Sequence, residues 1–251
     1  MIQIEYLMIF ALLLCAILLY FNHKRNMELL RSVSSPDRGT PSERRLIIKM
    51  LKKKVHPQAI FHDLYLKKQD GSYSQIDLVV AMPQGLISIE VKDYSGWLFG
   101  NENQRYWTQV LNYGKEKYRF YNPIMQNAGH IKTLREQSEQ FASLPIYNIV
   151  LFTGNCTLKK IDYSAHHTYV GYMNDISPIL KHISHLPSAE YSNKQEVARI
   201  LHQGVKNGKD PLIVSEHISK VAELSAHQPE PKINYGSSFL RFSIRRHYRR
   251  Y

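Results

Sequence analysis

The chain has 251 residues, of which 33 are Lys or Arg and 21 are Asp or Glu, so its formal net charge is +12 with histidines neutral. Hydrophobic residues make up 43 % of the sequence, which is enough for a packed core and excludes a largely disordered or collagen-like protein. With two cysteines, Cys15 and Cys156, the chain cannot build a disulfide framework or a cysteine-based zinc site.

The excess positive charge is concentrated in two flanks. Residues 22–60 hold ten Lys or Arg against three acids, and residues 232–251 hold six Lys or Arg and no acid. Such flanks either bind polyanions or only keep a membrane protein soluble and oriented. At residues 239–251 arginines alternate with aromatic and aliphatic residues, and this tail is predicted to contact DNA or, preferably, the anionic cytoplasmic leaflet.

Residues 2–21 are apolar apart from one Gln, one Glu and two tyrosines. As a helix they would span roughly 30 Å, the thickness of the hydrocarbon core of a bilayer. Lys24 and Arg25 follow the apolar run and no basic residue precedes it, the reverse of a secretory signal peptide. We therefore predict a single-pass transmembrane anchor at residues 1–21 with the soluble domain in the cytoplasm; a buried helix of a soluble protein is the alternative.

The elements that follow indicate an α/β protein. Residues 22–40 are rich in Ser and lack an apolar period, which predicts a linker. The capping box formed by Thr40 and Glu43, with Pro41 at the first helical position, predicts a helix. The sequence then predicts strands at 60–67, 74–81, 86–93, 96–99 and from 106, followed by a long helix at 123–141. Further along the chain it predicts strands at 146–153 and 168–172 and helices near 175–185 and 192–206. The order predicts a core domain at residues 41–153, extending to about 186, and a helical extension with a basic tail at 187–251.

Charged residues interrupt the central pair of predicted strands. Glu90 and Lys92 are two residues apart on one strand and therefore point to the same face. A two-residue loop at residues 83–84 would pair positions that sum to 167 and place Asp77 opposite Glu90. A bulge at Gly85 would raise the sum to 168 and break this alignment.

Two carboxylates and an ammonium group in otherwise apolar strands need compensation for burial. A hard divalent cation, Mg²⁺ or Mn²⁺, fits two carboxylates better than zinc does. Such an ion would activate water and neutralise a phosphate while Lys92 stabilises developing charge, which amounts to phosphodiester hydrolysis. A buried ion pair without chemistry is the alternative. The sequence contains no glycine-rich phosphate loop, and no small-molecule cofactor is predicted.

The motifs stand in a fixed order along the chain: Ser42-Glu43, QIDLVV at 75–80, GLISIEVKDYSG at 85–96, Tyr106-Trp107, NPIMQ at 122–126 and VLFT at 150–153. This ordered set, over residues 41–153, resembles the NERD (nuclease-related) domain of the PD-(D/E)XK nuclease superfamily. The resemblance implies a restriction-endonuclease-like core, a mixed central sheet flanked by helices, and metal-dependent DNA cleavage by Asp77, Glu90 and Lys92. The family usually has Gly where this chain has Ser42.

Two further residues are candidates for the same site. Glu43 is a third potential metal ligand, but as the acid of a capping box it also has a structural role. Gln126 lies in the first helical turn after Asn122, where free N–H groups attract phosphate; it either contacts DNA and the active site or packs the helix. The aromatic residues of 101–121 either stack on bases or fill the core. The alternative to a DNA nuclease is an inactive, membrane-tethered nucleic-acid-binding or scaffold module.

Overall fold

A computed structural model describes residues 2–226 of the chain. Its first helix, α1 (Ile2–Arg31), contains a segment, Ile4–Arg31, that is long and apolar enough to cross a membrane by length and composition. The helix continues through residues 22–31, which were predicted as part of an irregular linker, because Met27 and Leu30 pack against the core. The basic tail at residues 239–251 lies outside the described residues.

Helix α2 (Pro41–Lys52) begins with the predicted cap. The Thr40 hydroxyl accepts a hydrogen bond from the backbone N–H of Glu43 at 3.2 Å and donates to Glu43 Oε1 at 2.7 Å. Pro41 occupies the first helical position, where its missing N–H has no intrahelical partner to lose. The helix buries one apolar stripe, made of Leu46, Ile47, Met50 and Leu51.

The described strands form two sheets. They are, in chain order, β1 (Ile60–Lys67), β2 (Tyr73–Met82), β3 (Gly85–Asp93), β4 (Gly96–Asn101), β5 (Tyr106–Leu111), β6 (Glu116–Tyr121), β7 (Ile146–Thr153), β8 (Cys156–Asp162) and β9 (Thr168–Tyr172). The first sheet has the order β1-β2-β3-β7-β9, and the second has the order β6-β5-β4-β8. The first sheet is mixed, because β1 to β3 are antiparallel whereas β7 and β9 run parallel to β3.

Helices cover both faces of the five-stranded sheet. The remaining helices are α3 (Pro123–Arg135), α4 (Glu139–Ser143), α5 (Ile176–Ser184), α6 (Lys194–Asn207) and α7 (Pro211–Ala226). Helices α2 and α5 pack in one apolar cluster with one face of the sheet, and α3, α4 and α6 pack in a second cluster with the other face. This arrangement confirms the predicted α/β class, with a restriction-endonuclease-like mixed sheet between helices.

The structure also differs from the predicted elements in the long helix, in two strands and in the last described helix. The long helix predicted at 123–141 is divided into α3 and α4, because Ser138 has an extended backbone. Strands β6 and β8 were missed, since they alternate charged and half-buried residues rather than forming an apolar run. Helix α7 had no individual prediction within the helical extension.

The hairpin of β2 and β3 has the first of the two predicted registers. Leu78 pairs with Ile89 and Met82 pairs with Gly85, so that paired positions sum to 167. The loop is therefore the two residues 83–84, and the alternative register with a bulge at Gly85 is wrong. Gly85 has φ +133°, a backbone conformation that residues other than glycine rarely adopt.

Candidate active site

Asp77, Glu90 and Lys92 come together where the β2–β3 ladder ends. The last pair of the ladder is Leu78 with Ile89, and beyond it Asp77 Oδ2 accepts a hydrogen bond from the backbone N–H of Val91 at 2.9 Å. Asp77 is 7 % exposed and Glu90 is 2 % exposed. The two carboxylates and the ammonium group are therefore held by strands inside the protein rather than on a loop.

Lys92 links the strand to helix α3. Its Nζ lies 2.6 Å from Glu90 Oε1 and donates a hydrogen bond to Gln126 Oε1 at 2.9 Å. Gln126 is placed by the helix cap, because Asn122 Oδ1 accepts hydrogen bonds from the first free N–H groups of α3. Asn122 also donates to three carbonyl groups between β4 and β5 and so fixes the cap. The structure thus places Gln126 with the predicted site.

His130 belongs to the site and was not predicted. Its Nε2 lies 3.4 Å from Glu90 Oε2, and its Nδ1 is hydrogen-bonded to Ser74 Oγ at 2.8 Å. The sequence contains a usable signal, because His130 follows Gln126 by four residues and therefore shares its helix face. Glu90 Oε2 is buried and has no hydrogen-bond partner in the described part of the chain.

Glu43 makes its hydrogen bonds outside this group, although it lies near enough to Asp77 to raise the pKa of that carboxyl. Its Oε2 lies 3.0 Å from His62 Nε2, and its Oε1 accepts the hydrogen bond from Thr40. Both oxygens are thus engaged in the core, as the capping-box interpretation predicts. Across residues 2–226, no three Asp, Glu, His or Cys side chains form a group that could hold a metal ion. The role of Glu43 as a third metal ligand stays a prediction.

The pKa values of the two site carboxylates are shifted in opposite directions. Burial raises the pKa of Asp77 well above its usual range, and the neighbouring Glu90 and Glu43 raise it further. Burial by itself would raise the pKa of Glu90, but Lys92 and His130 outweigh burial and lower this pKa to about 2. Burial also opposes the charge of Lys92, yet Glu90 raises the lysine pKa above its usual range. Carboxylates with pKa values driven apart are typical of functional sites.

The donor set fits a hard divalent cation at two carboxylates. Glu90 offers the oxygen without a hydrogen bond, and Asp77 lies beside it with a pKa that a nearby cation would lower. Oxygen-only donors favour Mg²⁺ or Mn²⁺ over softer metals. Asp77 and Glu90 would hold the ion, with water completing its coordination.

Comparison with known proteins relates the central part of the chain to a known family. Residues 38–153 match the family model described as the nuclease-related domain, NERD. Residues 38–153 form a NERD domain. The domain runs from the loop before α2 to the end of β7, and it contains Asp77, Glu90, Lys92, Gln126 and His130.

A similar protein extends beyond the NERD domain. The chain is 28 % identical over 224 residues to an uncharacterized protein of Bacillus anthracis, an alignment that covers 88 % of this chain and 99 % of that relative. No solved structure matches the chain. The alignment is longer than the NERD match, so the similarity extends into residues outside 38–153.

Proposed function

We propose that the protein is a membrane-anchored nuclease that hydrolyses DNA phosphodiester bonds with Mg²⁺ or Mn²⁺. The observation that carries the proposal is the convergence of Asp77, Glu90 and Lys92 inside a NERD domain, with one Glu90 oxygen buried and without a hydrogen bond. A carboxylate that served only stability would have well-formed hydrogen bonds at both oxygens, whereas Glu90 Oε2 has only the 3.4 Å contact with His130.

Each side chain has a role in this reaction. Asp77 and Glu90 hold the cation, which when bound activates water and offsets phosphate charge. Lys92 is kept protonated by its raised pKa and stabilises the negative charge that develops on the phosphate oxygens. Gln126 accepts a hydrogen bond from Lys92 and so fixes the direction of its ammonium group. His130 lies against the second oxygen of Glu90 and limits its rotation.

The anchor in this proposal is helix α1. The most apolar stretch of the helix is not covered by the rest of the described protein, and Lys24 and Arg25 follow that stretch. By the positive-inside rule the NERD domain then lies in the cytoplasm. The basic tail at 239–251 binds DNA or anionic lipid in the same compartment.

Cleavage by the purified full-length chain in detergent tests the proposal. Plasmid and linear DNA are incubated with Mg²⁺, with Mn²⁺ or with chelator, for the wild type and for Asp77→Asn, Lys92→Gln and Glu136→Gln. Glu136 is an acid at the end of α3 that pairs with Lys132 outside the site, and it serves as the matched control. We expect metal-dependent cleavage by the wild type and Glu136→Gln alone. Folded wild-type protein that cleaves with neither metal would instead identify a tethered nucleic-acid-binding module.

A further inference from the structure

The second sheet has one face against the core and one face open to solvent. Residues directly opposite on paired strands share a face, and the registers of β4, β5, β6 and β8 sort the side chains into two sets. Trp107 and Phe120 lie on the inner face, packed near Phe152 of the first sheet. We call the other side the outer face; it carries Trp97, Phe99, Tyr106, Tyr121, Lys117, Arg119, Lys159 and Lys160.

Aromatic rings are prominent on the outer face. Phe99 is 36 % exposed and Tyr121 is 43 % exposed. Tyr121 lies opposite Tyr106, with ring centroids 6.2 Å apart. Of the aromatic residues at 101–121, some therefore fill the core, whereas others face solvent and are available for stacking. Exposed rings on one sheet face form a surface that a ligand with flat apolar groups would cover.

Positive charges surround these rings. Lys117 and Arg119 project from β6, and both are exposed. On β8, Lys159 Nζ lies 5.0 Å from the centroid of the Trp97 ring, and Lys160 is its exposed neighbour. The acid that lies closest to this group along β8 is Asp162, 4.0 Å from Lys160. The outer face of β6 and β8 thus carries four cations and one carboxylate, and this excess of positive charge complements a polyanion with stackable groups.

We propose that the outer face binds single-stranded nucleic acid, with bases stacked on its rings and phosphates paired with its cations. The bases of a duplex stack on each other and offer only their edges in the grooves, whereas unpaired bases offer flat faces to aromatic side chains. The inference deepens the proposed function, because it names the substrate class of the same protein.

The sheet is joined to the active site through two of its strands, β4 and β6. Strand β3 carries Lys92 and leads through two residues into β4. Strand β6 ends at Tyr121, and the next residue, Asn122, caps the helix that carries Gln126. On the inner side, the Tyr94 ring lies 4.5 Å from the Phe120 ring and connects the sheet to the end of β3. A strand bound on the outer face is thus held by elements continuous with the site.

Binding in the presence of chelator tests this inference without turnover. Fluorescence anisotropy of a labelled 20-nucleotide oligo(dT), and of a duplex of equal length, is measured with the full-length chain in detergent. We expect tighter binding of the single strand, and about tenfold weaker binding for Phe99→Leu and for Tyr121→Leu. Leucine retains apolar bulk, so folding is preserved while the stacking face is lost. Tyr163→Leu, at a ring 37 % exposed beyond the end of β8, is the matched control and retains binding.

Two further measurements locate the contact. Oligo(dT) quenches the fluorescence of Trp97 but not of the buried Trp107, so Trp97→Phe removes most of the quenching. Arg119→Gln lowers the slope of log affinity against log salt by about 0.7, the value for one phosphate contact on a single strand. Lys132→Gln, a change of an exposed cation on α3, leaves the slope unchanged.

The outcomes separate this inference from the nuclease proposal. Unchanged oligo(dT) affinity in both leucine variants, or equal binding of duplex and single strand, overturns the inference even if Asp77→Asn abolishes cleavage. Oligo(dT) binding that depends on Phe99 and Tyr121 supports it even if no metal elicits cleavage. Asp77→Asn retains binding in either case, because Asp77 lies away from the outer face.

Discussion

Glutamate, histidine and serine meet twice in this protein, once in the core and once in the candidate active site. In the core triplet, Glu43 Oε2 lies 3.0 Å from His62 Nε2, and His62 Nδ1 lies 2.7 Å from Ser34 Oγ. The second Glu43 oxygen accepts a hydrogen bond from Thr40. Every polar group in the core triplet is paired, and the triplet fastens the loop after α1 and the start of α2 to strand β1.

The site triplet has the same residue types in a different setting. Glu90 Oε2 lies 3.4 Å from His130 Nε2, and His130 Nδ1 lies 2.8 Å from Ser74 Oγ. The other Glu90 oxygen is taken by Lys92. Here the histidine contact is too long for a well-formed hydrogen bond, and one carboxylate oxygen stays unsatisfied. Two buried glutamate–histidine pairs therefore differ in one respect: both oxygens of Glu43 are hydrogen-bonded, whereas Glu90, beside a second carboxylate, keeps one oxygen without a well-formed hydrogen bond.

The largest expected effect is on cleavage when the two glutamates are exchanged for glutamine. Glu90→Gln removes a charged ligand of the cation, and we expect the cleavage rate per folded molecule to fall about a thousandfold, or about 4 kcal/mol of barrier. Glu43→Gln can still bond to Thr40 and is expected to change the rate less than threefold. Initial rates in Mg²⁺, corrected for the folded fraction, provide the measurement. Equal losses in both variants would show that the core triplet also takes part in catalysis.

The ionised form of Glu90 should contribute to stability in acid when no metal is bound. The pKa of Glu90 is lowered from 4.5 to about 2, so its ionised form stabilises the fold fully above pH 4.5, and this stabilisation is lost as the pH falls towards 2. The contribution is about 3 kcal/mol. The free-energy difference of unfolding between wild type and Glu90→Gln should therefore shrink between pH 5 and about pH 3 in urea titrations with chelator. A difference independent of pH would contradict the ion pair with Lys92.

The stability contributed by Asp77 depends on pH in the opposite direction to that contributed by Glu90. Its pKa is raised by burial and by the neighbouring carboxylates, so the stabilisation present below its usual pKa is lost as the pH rises through the raised value. Above that raised pKa, in the absence of metal, the ionised group destabilises the fold. We expect Asp77→Asn to raise Tm by a few degrees, about 1 kcal/mol, whereas Mg²⁺ raises Tm of the wild type only. A lower Tm for metal-free Asp77→Asn would show that Asp77 is structural.

The sequence alone predicted the part of this site that depends on strand alternation. Asp77, Glu90 and Lys92 follow from a period of two and a two-residue loop, because these rules fix which side chains share a face. The cap of α2 was likewise readable from Thr40 and Glu43, since capping depends on residues three apart.

The features of the structure that the sequence did not predict depend mainly on contacts between segments that are distant in the chain. His130 acquires its role from Ser74 and Glu90, 56 and 40 residues away in the chain, and no local pattern encodes that meeting. The contact of Glu43 with His62 on β1 was likewise not predictable from the residues around Thr40. Strands β6 and β8 carry charges on their outer face, so local hydrophobicity gave no run to detect.

The smallest expected effects come from the two serines, and they test the comparison most directly. Ser34→Ala leaves His62 Nδ1 buried without a donor, so it should lower the free energy of unfolding by about 1 kcal/mol and leave cleavage unchanged. Ser74→Ala should change stability less, because the His130 side chain is 14 % exposed and reaches water. Cleavage should instead fall a few-fold, since Ser74 no longer holds the His130 tautomer that points an N–H at Glu90. Urea titrations and initial rates on both variants, with the His130 tautomer followed by nitrogen NMR, provide the measurement. A loss of stability in Ser74→Ala with an unchanged rate would place both triplets among the structural contacts of the core.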